Sequence, residues 1–139
     1  MKAKIKQVDG LSLVGKSESN HWVPLDSVKT FGGAEAATKP MEMVLIALGG
    51  CTAMDVLSIL KKMREDVRDF SVDIDADRAS DHPAVFTKIH VKYIVTGKNL
   101  NQDNVNKAVE LSMNKYCSVT AMLKHTADIT WDIATEEVD

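Results

Sequence analysis

The stretch Pro40-Met41-Glu42-Met43-Val44-Leu45-Ile46-Ala47-Leu48-Gly49-Gly50-Cys51-Thr52-Ala53-Met54-Asp55-Val56-Leu57-Ser58-Ile59-Leu60-Lys61-Lys62-Met63 decides how the rest of the chain must be arranged. Pro40 suits the first turn of a helix, where its missing N–H costs nothing. Glu42 complements the positive end of the helix dipole, and Lys61, Lys62 and Arg64 complement the other end. At roughly 100° per residue, the apolar side chains between positions 43 and 57 fall at nearly every angle around the axis. A helix that is apolar all round must be covered all round. From 41 to 63 it rises about 34 Å, more than twice the ~14 Å radius of gyration expected for a chain of this length. One small sheet covers only one side of such a rod. The same helix of a second chain is the simplest cover for the other side, so the sequence predicts a homodimer with an isologous interface.

Other compartments and partners fit less well. The apolar run contains two glycines and Asp55, whereas a membrane span needs about 20 apolar residues and rarely carries charge. A buried core helix and no membrane contact are expected. The first ten residues alternate charged, polar and apolar side chains and lack the apolar core of a secretory signal. A cytoplasmic location follows, in which thiols stay reduced. The 139 residues suit one domain, 1–139, large enough to bury roughly 68% of the unfolded surface. A net charge of -3 with scattered basic residues argues against nucleic acid.

Around the helix, period-two alternation predicts strands over 2–7 and 11–16, joined by an Asp9-Gly10 turn, with a third over 20–26. A loop with Gly32-Gly33 follows over 30–40. Phe70, Val72, Ile74 and Ala76 alternate in a strand over 70–77. Ile89, Val91, Tyr93 and Val95 do so over 85–96. Asp81-His82-Pro83 lies between them as a loop. Helical spacing returns over 101–114, through Val105, Ala108, Val109, Leu111 and Ser112. Ser118 is placed to cap a short helix reaching Leu123. Ala127, Ile129, Trp131 and Ile133 mark a last strand over 126–133. Strands and helices are partly segregated, which makes the fold class α+β.

Two residues carry the candidate chemistry. Cys51 follows Gly49-Gly50 inside the long helix, where each glycine costs roughly 1 kcal/mol against alanine. Such a cost points to close approach by another backbone or a ligand. Cys117, in Tyr116-Cys117-Ser118-Val119-Thr120, stands at a helix start, where the dipole favours thiolate. The bland reading is that both are small buried hydrophobes. Asp55, one turn after Cys51, opposes a thiolate by charge and is expected to pair with a cation or hydroxyl across the dimer. His21 and Lys39 flank the loop that could cover the site, and a histidine near a thiol can act as base or cationic partner. His82, His90 and His125 show no metal-ligand spacing, and neither Cys-x-x-Cys nor His-Glu-x-x-His occurs. No metal and no cofactor are expected. Gly49-Gly50 lacks the lysine of a phosphate loop. The methionines are read as core filler that could also line an adaptable apolar pocket, and Trp22 and Trp131 as packing residues.

Pro40 followed eleven residues later by Cys51, and Cys117-Ser118-Val119-Thr120 a further 66 residues on, resemble the OsmC/Ohr family in motif and element order across most of the chain. The resemblance implies two intertwined chains with long central helices between antiparallel sheets. It also implies a peroxiredoxin-like thiol peroxidase that defends against oxidative stress by reducing organic hydroperoxides. Cys51 would then be the peroxidatic thiolate and pass through a sulfenic acid. Cys117 would resolve it as a disulfide, and a dithiol reductant of lipoyl-protein or thioredoxin type would reset the pair. An apolar pocket containing Gly50, Met54 and His21 would select the alkyl group. The chain departs from the family pattern after the second cysteine, where many relatives have proline and this chain has Ser118, and in the residues that activate the first. Active members steady the first cysteine with an N-terminal arginine, itself oriented by a glutamate early in the long helix. No arginine precedes Arg64, and the glutamate position falls on Met41. Glu42, one residue late and rotated by roughly 100°, is either its substitute in catalysis or a dipole-complementing residue only. The missing arginine keeps an alternative open: a catalytically weak dimer that binds an apolar small molecule or acyl chain.

Overall fold

The computed structural model describes residues Met1–Asp139. The elements run β1 (Ala3–Asp9), β2 (Ser12–Ser17), β3 (Val23–Leu25), α1 (Pro40–Lys62), β4 (Asp66–Arg78), β5 (Phe86–Lys98), α2 (Gln102–Leu111), α3 (Ser118–Leu123) and β6 (Asp128–Glu137). A 3-10 turn at Lys29–Phe31 precedes α1, and a π turn at Ser112–Tyr116 separates α2 from α3. The chain divides into two compact units, Met1–Ile46 and Ala47–Asp139. Two three-stranded sheets and three α-helices make the mixed α+β class expected from the sequence.

In the first unit, β1, β2 and β3 form an antiparallel meander. Gly10 turns the first hairpin at φ +52°. The loop after β3 is organised by Asp26, which is 2% exposed. Its carboxylate accepts the N–H groups of Ser27 at 2.7 Å, Ala34 at 3.1 Å and Ala36 at 3.1 Å, and the hydroxyl of Ser12 at 2.9 Å. Gly33 is required there, because a Cβ would fall 2.0 Å from the Ser27 carbonyl oxygen. Trp22 is not a packing residue. It is half exposed, with the Lys16 ammonium 4.8 Å from its ring centre.

In the second unit, β5 is the central strand of the sheet β4-β5-β6. It pairs antiparallel with β4 and parallel with β6. The parallel pair requires a crossover, which α2, the π turn and α3 supply. Alternation works as read: Ile89, Val91, Tyr93 and Val95 are buried. The opposite face carries charge in register, with Asp73 beside Lys92 beside Asp132. β4, β5 and β6 extend beyond the expected limits, to Asp66, Lys98 and Glu137. Their polar end residues carry little period-two signal.

α1 lays Leu48, Thr52, Val56 and Leu60 into the core at four-residue spacing. Burying each of the aliphatic ones stabilises by about 1.5–3 kcal/mol. Gly49 lies against β4, because a Cβ there would meet Ile74 Cδ1 at 3.2 Å. Ile46, Gly50, Met54 and Leu57 are exposed along another stripe, Met54 to 75%. By length and composition α1 could cross a membrane. Its buried ridge, together with the bonds of Thr52 and Asp55 to β5 and to Ser112, makes it the core helix of the second unit.

Candidate active site

Three side chains converge in the second unit. Cys51 Sγ, a carboxylate oxygen of Asp55 and Cys117 Sγ all lie within 4.8 Å of one another. Cys51 and Asp55 are four residues apart on α1 and so share a face. Both cysteines are free, Cys51 partly exposed and Cys117 buried.

Cys117 reaches this place through the π turn. α2 starts cleanly, with the Asn101 side chain accepting the N–H groups of Asp103 and Asn104. At Ser112 the helix widens, and the Cys117 N–H donates to the Ser112 carbonyl at 2.8 Å, five residues back. Cys117 then leaves helical geometry, with ψ 105°, and becomes the N-cap of α3. Its sulfur accepts the Thr120 N–H at 3.4 Å. Ser118 is therefore not the cap, as expected above; it is the first residue of α3. The expected activation of Cys117 by the helix dipole is also overturned. Burial pushes its thiol pKa up, with the neighbouring Cys51 adding to the rise, against a lowering by the Thr120 hydrogen bonds.

Behind the sulfurs runs a buried hydroxyl chain. Thr52 Oγ1 lies 2.6 Å from Tyr93 Oη and 2.8 Å from Ser112 Oγ. Ser112 Oγ donates to Asp55 Oδ2 at 3.0 Å. A carboxylate only accepts, so the direction of the chain is fixed from its end. Ser112 spends its proton on Asp55, Thr52 donates to Ser112, and Tyr93 donates to Thr52. Met113 Sδ, 3.0 Å from Tyr93 Oη, is the alternative acceptor for the single proton of that phenol. Burial pushes the Tyr93 pKa up to about 12, moderated by the Thr52 bond and assisted by the negative groups at Cys117 and Asp55. No buried side-chain polar atom is left without a partner. Asp55 thus finds a hydroxyl within its own chain, on Ser112.

Glu42 belongs to the first unit, where its carboxylate takes the Lys39 N–H at 2.9 Å and pairs with the Lys39 ammonium at 2.5 Å. Those bonds lower its pKa, the ammonium hydrogen bond most. His21 is exposed ahead of β3. Gly50 and Met54 flank Cys51 on the exposed side of α1, and a Cβ at Gly50 would meet nothing within 4 Å. Sequence reading missed Thr52, Tyr93, Ser112 and Met113. Each looks like an ordinary core position, and only the fold unites them.

Comparison with known proteins agrees with this fold. The model of the OsmC-like protein family matches residues 32–132. Protein YhfA of Escherichia coli K12 is 45% identical over 130 residues, 94% of each chain. The crystal structure of a hypothetical protein from Aquifex aeolicus superposes with a TM-score of 0.81 at 28% identity, covering 97% of this chain and 96% of that one. An organic hydroperoxide resistance protein OsmC from Legionella pneumophila shares the fold, with a TM-score of 0.68 at 14% identity over 96% of this chain and 97% of that one. With two adjacent thiols, this fold and these bacterial relatives, the chain belongs to the OsmC-like family.

Proposed function

We propose that the chain is a thiol peroxidase that reduces organic hydroperoxides. The observation that carries this reading is the approach of two free sulfurs, from positions 51 and 117, into one cluster less than 4.8 Å across. The partly exposed Cys51 attacks as thiolate at the terminal peroxide oxygen. The O–O bond breaks, the alkoxide takes a proton and leaves as alcohol, and Cys51 becomes a sulfenic acid. The buried Cys117 then attacks the Cys51 sulfur, which expels its oxygen as water. The resulting disulfide shields both sulfurs from further oxidation. A dithiol reductant, of lipoyl-protein or thioredoxin type, returns two electrons by exchange. Gly50 and Met54, beside Cys51 on the open stripe of α1, supply apolar surface for the alkyl group. A bacterial cytoplasm, where the pair starts reduced, is the matching compartment.

A homodimer is part of this reading, because the stripe Ile46, Gly50, Met54 and Leu57 is apolar and exposed in the single chain. Apolar side chains in line on one helix are the form an isologous helix contact takes. Parts for Glu42 and His21 are decided by Glu42→Gln and His21→Ala. A loss of peroxide-driven disulfide formation assigns the residue to the reaction, and an unchanged rate removes it.

One observation favours a second reading. Asp55 places negative charge beside Cys51, and no arginine precedes position 64 to offset it. That arrangement suits a weakly reactive dimer that binds an apolar molecule or acyl chain. The deciding experiment adds one equivalent of cumene hydroperoxide to reduced protein, quenches within seconds and maps disulfides by peptide mass spectrometry. A rapid Cys51–Cys117 disulfide, slower with hydrogen peroxide and absent in Cys51→Ser, supports the peroxidase. Two free thiols after minutes of exposure overturn it in favour of the binding protein.

A further inference from the structure

We propose that Cys51, Asp55 and Cys117 form a site for a thiophilic divalent cation of the zinc type, with Ser112 orienting the carboxylate. The three ligand atoms lie within 4.8 Å of one another. Tetrahedral zinc holds sulfur at about 2.3 Å and carboxylate oxygen at about 2.0–2.2 Å. The edges of such a tetrahedron are about 3.5–3.8 Å, so closing on an ion requires each ligand atom to move by at most about 1 Å. Cys51 and Asp55 stand four residues apart on one helix, the spacing at which two side chains on a helix grip a single ion. Cys117 supplies the third ligand from the N-cap of α3.

The surroundings match the needs of such a site. Ser112 Oγ donates to Asp55 Oδ2, which leaves the carboxylate with lone pairs for an ion. Thr52 and Tyr93 hold Ser112 in turn. Hydrogen bonds of this kind set the orientation and strength of metal ligands. Charge points the same way. No ion pair of the chain involves Asp55. A divalent cation would replace the two thiol protons, and the two thiolates so formed, with the carboxylate, would offset its charge. Thiolate ligands favour zinc over the harder magnesium and calcium. Three protein ligands leave a fourth position open. The Cys51–Cys117 disulfide and the bound ion exclude each other, because both consume the same two thiolates. This inference does not depend on peroxide turnover.

The test uses the full-length, reduced, chelator-treated protein, titrated with Co2+ as an optical probe and then with Zn2+. One equivalent of Co2+ is expected to give a thiolate-to-metal charge-transfer band that one equivalent of Zn2+ erases. Cys51→Ser and Cys117→Ser should abolish the band. Asp55→Asn should weaken binding by at least about tenfold, and Ser112→Ala by about 10–100-fold, with thermal unfolding showing that each variant is folded. Diamide oxidation should release the ion. Absence of the band, or an Asp55→Asn protein that binds as tightly as the parent, overturns the proposal. The second result would leave only an adventitious dithiol. Peroxide-driven disulfide formation, followed in metal-free buffer, fails or succeeds separately.

Discussion

The carbonyl of Ser112 accepts the Cys117 N–H across five residues, at 2.8 Å, inside a π turn. The same serine gives its hydroxyl proton to Asp55. One residue therefore sets both the carboxylate and the second sulfur of the cluster. Single π turns recur where a helix must present a side chain at an unusual angle. Ser112→Ala keeps the π turn, which is a backbone feature, but frees Asp55. Disulfide formation after a cumene hydroperoxide pulse is expected to slow severalfold in this variant, read by quenched peptide mapping. An unchanged rate would remove Asp55 and its serine from the thiol chemistry.

The hydroxyl chain also holds the core together. Thr52→Val keeps the shape of the side chain and deletes the link between Tyr93 and Ser112. Both survivors retain one partner, Met113 Sδ for the phenol and Asp55 for the serine. The expected loss is therefore about 1–3 kcal/mol of unfolding free energy, as for a buried hydrogen bond with partial compensation. Urea titration measures it. A double-mutant cycle with Ser112→Ala should be non-additive, because the two hydroxyls touch at 2.8 Å.

Tyr93 makes alkaline stability a readout of the same chain. Its pKa in the fold is pushed up to about 12 by burial, against about 10 for an ordinary phenol. A raised folded pKa means that the contribution is intact below pH ~10 and is lost as pH rises towards 12. The unfolded chain ionises there and the folded one does not. The wild-type urea midpoint should fall through that window, and Tyr93→Phe should flatten the fall. Parallel pH profiles for the two proteins would count against a buried, neutral Tyr93.

Much of this architecture was readable from side-chain period alone. The alternation Ile89, Val91, Tyr93 and Val95 follows from a repeat of two, whereas the ridge Leu48, Val56 and Leu60 emerges only in the fold, because the long helix is apolar all round. Both cysteines stood out because glycines marked one and a helix start marked the other. Ser112 and Thr52 did not, because a buried hydroxyl in a helix has no local signature. Its partners lie on other elements, 60 residues apart for this pair. The state of Cys117 was misread for a related reason. A helix N-terminus is visible in sequence, whereas the burial that raises the thiol pKa arises only once the chain is folded.

Buried and shifted upward in pKa, Cys117 should be the slow thiol of the reduced protein. A raised pKa leaves it less ionised than an ordinary thiol at neutral pH, and only the thiolate alkylates. In an iodoacetamide pulse at pH 7, Cys51 peptides are expected to label first and Cys117 peptides clearly later. The Cys117 rate should keep rising with pH beyond the range where an exposed thiol levels off. Equal labelling of the two peptides at pH 7 would contradict the buried N-cap geometry.

In the first unit, Asp26 makes a separate prediction about acid. The Ser27 N–H foremost, then those of Ala36 and Ala34 and the Ser12 hydroxyl, hold its carboxyl down at about 2, against about 3.9 for a free aspartate. A depressed folded pKa stabilises above the ordinary value, and that contribution is lost as pH falls through about 2. Asp26→Asn should therefore unfold at lower temperature than wild type at pH 7, and the gap should close between pH 4 and 2. Differential scanning calorimetry at three pH values measures it. A gap that stays constant would mean that the carboxylate charge contributes nothing.

Met54 tests the dimer. It is 75% exposed in the single chain, on a stripe with Ile46, Gly50 and Leu57. A monomer loses little from Met54→Glu, because an exposed side chain is traded for one that water accepts. A dimer packed along this stripe would have to bury the new carboxylate twice, once per subunit, without a partner. Gly50→Ala separates the cases from the other direction. No atom of the chain lies within 4 Å of a Cβ at Gly50, so in a monomer alanine should stabilise the helix by about 1 kcal/mol. Under a second backbone, alanine should weaken association instead. Light scattering is expected to give twice the 15.3 kDa chain mass for wild type, with dissociation to monomer in Met54→Glu and a weakened dimer in Gly50→Ala. A wild-type monomer, stabilised by Gly50→Ala and indifferent to Met54→Glu, would leave this face of α1 open and rule out the helix-to-helix dimer.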